Sequence, residues 1–243
     1  MRLKILACEI VYREVCYLVA LSPHRCDIEF LPKGLHDLGV EKMRPRLQES
    51  VDAVPEKTYD AILLVYGLCN NGIVGLQSRH TRIVVPRAHD CIALFMGDRR
   101  RYLEYFNAHP GTYYRTTGWL ERGDGSDVGE TISQKLGRFK EYEELVRKYG
   151  EDNAKYLLET MGDLTQHYDR LTYIRMGLSG EEPFSLQARR EAEEKGWTFE
   201  EIRGSMELLR KMLWGEWGDD VLILQPGQSV KASYDEGVIR VAD

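Results

Sequence analysis

No stretch of this chain approaches the roughly 20 apolar residues that a membrane-spanning helix requires, and its start has no basic, apolar and small-residue succession of the signal-peptide kind. A cytoplasmic protein without membrane attachment is therefore expected. The 33 basic and 39 acidic residues give a net charge of −6 and form no long block of either sign. That balance argues against a nucleic-acid surface or a polybasic lipid-binding patch, and favours a small-molecule substrate or a protein partner. Cysteine is sparse and odd in number, five among 243 residues, and no two cysteines stand at zinc-knuckle spacing. A chain of this length can bury a core without covalent staples. In a reducing compartment its thiols then read as buried, metal-binding or catalytic rather than disulfide-bonded. No internal repeat, low-complexity tract or flexible linker divides the sequence, so residues 1–243 are expected to form a single α/β domain.

The apolar patterning supplies the elements. Leu3 to Ala7 is a short apolar run, and Glu14 to Leu21 follows with helical spacing. Asp27 to Leu31 alternates with period two, as a strand does, before Pro32 and Gly34 mark a loop. Leu38 to Val54 predicts a helix ended by Pro55. Ala61 to Tyr66 is continuously apolar, the pattern of a strand covered on both faces, and Ile83 to Val85 repeats it more briefly. This alternation predicts an open, mostly parallel, Rossmann-like sheet. From Glu130 to about Met176 the charged, amphipathic pattern predicts helix, continued by Leu186 to Lys195 and Phe199 to Trp214. Residues 130–217 thus read as a helical insertion. Val221 to Leu224 returns to strand, and the Pro226-Gly227 turn leads to a last strand, Val238 to Val241.

Three of the cysteines follow predicted strands: Cys8 after Leu3 to Ala7, Cys69 after Ala61 to Tyr66, and Cys91 after Ile83 to Val85. Ligands of open α/β sheets bind outside the carboxyl ends of the strands, so these thiols are expected to share a functional edge. Three thiolates could hold zinc with one coordination position open, or three irons of a 4Fe-4S cluster whose fourth iron faces substrate. Cys16 and Cys26 do not share this position and read as small buried residues.

Two loops supply further candidates. In Tyr66-Gly67-Leu68-Cys69-Asn70-Asn71-Gly72, the residues Gly67, Asn70, Asn71 and Gly72 could bring backbone N–H groups to a bound anion or cofactor. The alternative is a glycine turn capped by the asparagines. In Pro86-Arg87-Ala88-His89-Asp90-Cys91, Arg87 could hold a substrate carboxylate or phosphate, and His89 could ligate a metal or transfer protons with Asp90 orienting it. For Asp90 the competing role is helix N-cap. The aromatic and hydroxyl-rich segment from Pro110 to Trp119 suits a pocket wall or a packed strand.

At these residues the sequence resembles a bacterial and archaeal domain of unknown function that occurs beside corrinoid-dependent methyltransferase systems in anaerobes. The resemblance rests on Ala7-Cys8, Gly34-Leu35-His36-Asp37, Tyr66-Gly67-Leu68-Cys69 with Asn71-Gly72, the run from Pro86 to Cys91, and Pro110 to Tyr114 with Gly118-Trp119. Asn70 departs from the family pattern, in which glycine is expected. What the resemblance implies is a shared α/β fold and a site around the thiols. The leading expectation is a metal- or iron–sulfur-dependent enzyme of anaerobic one-carbon or sulfur metabolism. Two alternatives stay open: a non-catalytic module that binds a metal or corrinoid or partners a methyltransferase, and a metal-free enzyme with Cys91 or Cys69 as nucleophile and His89 as base.

Overall fold

Every residue of Ala61–Val65 is buried, as its unbroken apolar run requires, and in the computed structural model this strand (β3) lies at the middle of a five-stranded sheet. The structure describes residues 1–122, 146–147, 150–151 and 168–242, and the backbone alone of 36–38. The strand β1 (Arg2–Cys8) pairs in parallel with β2 (Arg25–Leu31) on one side and with β3 on the other. Next come β4 (Ile83–Pro86), parallel to β3, and β8 (Val221–Leu224), antiparallel at the edge. The order β2-β1-β3-β4-β8 is the open, mostly parallel arrangement that the patterning predicts.

Alternation along the strands divides the core in two. Leu3, Ile5, Ala7, Leu63 and Val65 face one side, covered by α1 (Tyr12–Leu21), α3 (Cys91–Met96) and α7 (Glu207–Trp214). Leu6, Ile62, Leu64 and Tyr66 face the other, against α2 (Val40–Asp52) and the C-terminal hairpin of β9 (Val230–Ala232) and β10 (Ile239–Val241). At about 25 cal/mol per Å2 of apolar area, burying side chains on both faces is the main force holding the sheet in place.

The segment 130–217 differs from the helical expectation. The predicted helix from Glu130 lies largely outside the described residues, but β6 (Arg170–Arg175) and β7 (Thr198–Arg203) are strands. With β5 (Thr112–Arg115) they form a second, wholly parallel sheet in the order β5-β6-β7. Helix α6 (Glu182–Lys195) packs on it through Ala188 and Ala192, against Leu171 and Tyr173. The sequence Thr198-Phe199-Glu200-Glu201-Ile202-Arg203 reads as a charged helix, but as an edge strand its acids are neutralised across the ladder. Arg170 pairs with Glu200 at 2.9 Å and Arg175 with Glu201 at 3.0 Å. Between the sheets run α4 (Arg99–Ala108) and α5 (Thr117–Glu121). Among the described residues no helix is long and apolar enough to cross a membrane.

Candidate functional site

The chain passes from β1 to β2 on one side and then crosses over to β3 on the other, so the sheet's switch point lies at the carboxyl ends of β1 and β3, where ligands bind in folds of this kind. Cys8 is the last residue of β1. The pairing of Ala7 with Val65 sets Cys8 beside Tyr66, and both side chains belong to the face of Leu6 and Leu64. Cys69 lies in the loop after β3, and Cys91 opens α3 after β4. All three residues are half-buried.

The loop after β3 is drawn onto the loop after β4. The N–H of Leu68 donates to the Ala88 carbonyl at 2.8 Å, and that of Cys69 to the His89 carbonyl at 2.9 Å. This approach needs glycine at 67, where a Cβ would stand 2.6–2.8 Å from the backbone of Asp90. The chain then turns through three successive left-handed residues, Cys69, Asn70 and Asn71, with φ of 46°, 54° and 67°. The Gly72 N–H returns to the Cys69 carbonyl at 3.0 Å and closes the turn. Such conformations cost about 1–3 kcal/mol each and gather at functional sites, asparagine being among the least penalised residues. Asn70 therefore accepts a backbone geometry that glycine would adopt freely.

The three thiols act on one another. Burial pushes the Cys8 thiol up to about 12. It does the same for Cys69, with the charge of Cys8 adding to it. Cys91 is raised well above the usual thiol range, first by burial and then by Asp90, Cys69 and Cys8. As free groups at neutral pH they stay protonated; a cation among them would favour ionising all three. Beside them stands Tyr66, 3% exposed, whose hydroxyl is near enough to the Cys8 sulfur to favour the Cys8 thiolate, though not at full hydrogen-bonding geometry. Burial and the charges of Cys8 and Cys69 all oppose its ionisation.

The other predicted residues have distinct places. Asp90 is the N-cap of α3: its Oδ1 accepts from the N–H groups of Ile92 and Ala93 at 2.9 and 3.2 Å, and its Oδ2 accepts from the Tyr102 hydroxyl at 2.8 Å. The Arg87 guanidinium donates to the carbonyls of Gly237 and Ile239, which anchors the C-terminal hairpin. His89 is exposed, its ring 6.5 Å from that of Tyr102. Cys16, in α1, and Cys26, within β2, are half-buried and follow no strand; the Cys26 sulfur lies 3.6 Å from the His24 carbonyl oxygen.

Sequence reasoning missed Lys33. It is 8% exposed, donates from Nζ to the Trp119 carbonyl at 2.7 Å, and holds its ammonium 4.9 Å from the centre of the Trp119 ring. Its charge favours the Cys8 thiolate. The one available signal was a lysine set among Leu31, Pro32, Gly34 and Leu35. Gly118 explains its place beside Trp119 in the motif: a Cβ there would collide with the Ile10 carbonyl, so α5 lies directly on the short 3-10 turn Glu9–Val11 that follows Cys8. Among the described residues, no three His, Cys, Asp or Glu side chains are grouped so as to hold a metal ion as they stand.

The fold defines an open, mostly parallel α/β protein in which Cys8, Cys69 and Cys91 follow three adjacent strands. The chain belongs to the DUF1638 family of proteins of unknown function, whose family model matches residues 30–213 and so includes Cys69 and Cys91, with Cys8 ahead of the matched segment. No curated protein and no solved structure matches it.

Proposed function

We propose that this protein is an iron–sulfur-dependent enzyme whose Cys8, Cys69 and Cys91 hold three irons of a 4Fe-4S cluster, with the fourth position open to a small-molecule substrate. What supports the reading is that the three cysteines follow three adjacent parallel strands, and that Cys69 and Cys8 are near enough to Cys91 to oppose its ionisation. Thiolates are the soft ligands that an iron–sulfur cluster takes, and a cubane spans a wider sulfur triangle than a single zinc ion. Three thiolates around such a cluster leave net negative charge, and the buried Lys33 ammonium offsets it. When bound, the cluster supplies a Lewis-acidic site for a substrate oxygen or sulfur.

The chain's own residues do the rest. Asp90 and Gly67 fix the segments that carry Cys91 and Cys69, Arg87 secures the C-terminal hairpin, and the exposed His89 is the residue that would pass protons to and from the substrate. The substrates would be small molecules of one-carbon or sulfur metabolism, the setting implied by the family resemblance. The test is anaerobic purification followed by iron and acid-labile sulfide analysis and an optical spectrum. Iron and sulfide in stoichiometric amounts, lost in each of Cys8→Ser, Cys69→Ser and Cys91→Ser, are expected. Protein isolated without oxygen or chelator that contains neither would overturn the reading.

A further inference from the structure

A groove of about 540 Å3 opens where the loop after β4, the start of α4, the turn before β8 and the C-terminal hairpin meet. Its volume is that of a small-ligand site, and no cysteine lines it. Two half-buried guanidiniums do, those of Arg87 and Arg99. Arg87 donates from Nη1 to the carbonyls of Gly237 and Ile239, which leaves its Nε and Nη2 without a partner among the described residues. Arg99 makes no hydrogen bond or ion pair among them at all. Burial and then the charge of Arg99 hold the Arg87 guanidinium below its usual range; Asp235 and Asp219 support it without forming an ion pair. Glycine at 237 keeps the space clear, since a Cβ there would stand 3.2 Å from Arg87 Nη1. Like charges in a partly desolvated groove repel, and a bound anion relieves that repulsion.

The guanidinium fork matches phosphate oxygens two at a time. Two cations without a counter-ion suit a group that carries close to two negative charges, as a phosphate monoester does near neutral pH and a single carboxylate does not. Asp219, Asp235 and Glu236 also line the groove, with Arg240. Carboxylates there repel a second anionic group and accept hydrogen bonds from hydroxyls or amines. We propose that this groove binds a small phosphate monoester whose organic part carries hydroxyl or amino groups, with Arg87 and Arg99 holding the phosphate and the carboxylates receiving those donors. The proposal is independent of the three-thiolate reading, and its test needs no metal.

The experiment is calorimetric titration of the full chain with glycerol 3-phosphate, phosphoethanolamine, inorganic phosphate and glycerol, repeated on Arg99→Ala. At least one of the two esters is expected to bind more tightly than inorganic phosphate, and glycerol is expected not to bind. Arg99→Ala should weaken the ester about tenfold or more, the worth of a charge-assisted hydrogen bond, while its unfolding midpoint stays at the wild-type value. Failure of wild type to bind either ester, or an unchanged affinity in Arg99→Ala, would overturn the proposal. Inorganic phosphate held as tightly as the esters would mark a plain anion site and overturn the assignment to a monoester. Should Arg99→Ala fail to fold, Arg99→Gln decides in its place, and an ester affinity equal to wild type there overturns the proposal as well.

Discussion

Gly67 and Asp90 are in backbone contact: a methyl group on the glycine would lie 2.6 Å from the Asp90 Cα and 2.7 Å from its nitrogen. This contact sets Cys69 and Cys91 on facing loops. Gly67→Ala should therefore push the loops apart and destabilise the protein by about 1–3 kcal/mol, the usual cost of overpacking. Urea denaturation measures the loss, and a midpoint equal to wild type would show that the loops are not packed as described.

Asp90 should prove structural before it proves chemical. Its carboxylate caps α3 and receives the Tyr102 hydroxyl, so Asp90→Ala should cost about 1–2 kcal/mol. Asp90→Asn keeps a capping oxygen and should recover most of that stability. If alanine and asparagine destabilise equally in thermal or chemical unfolding, the cap is not what holds the helix start.

Glu14, on α1, is 1% exposed, and its Oε2 has no hydrogen-bond partner. Burial, aided by the nearby Glu181 charge, raises its carboxyl from an ordinary 4.5 to about 7. The folded chain thus binds the proton more tightly than the unfolded chain, and this group's contribution to stability falls as pH rises from about 4.5 to about 7, by about 3 kcal/mol in all. Glu14→Gln should remove that slope and be more stable than wild type at pH 8. Unfolding free energies across this range check it, and parallel profiles for the two proteins would refute it.

What the sequence made legible was the first sheet and the strand ends. Ala61–Val65 and Ile83–Pro86 are apolar throughout because both faces are covered, and a covered strand has one reading. The cysteines that follow them inherit their place from the topology. Strands β6 and β7 were hidden because Glu200 and Glu201 resemble a solvated helix until Arg170 and Arg175 are seen across the ladder. Lys33 was hidden for a related reason: its partner is the carbonyl of Trp119, a residue far along the chain, and local pattern carries nothing about such a contact. The left-handed turn at Cys69, Asn70 and Asn71 left a partial trace, since two asparagines between glycines mark a turn without giving its hand.

The seat of Gly118 on the Ile10 carbonyl fixes where the second sheet meets the first. With the Lys33-to-Trp119 bond beside it, this contact bolts the smaller sheet's shoulder to the chain just past Cys8. Asn70, Asn71 and His89, on the loops after β3 and β4, are exposed. On those two loops, therefore, the strained turn and the imidazole meet solvent while the sulfurs of Cys69 and Cys91 lie beneath the surface.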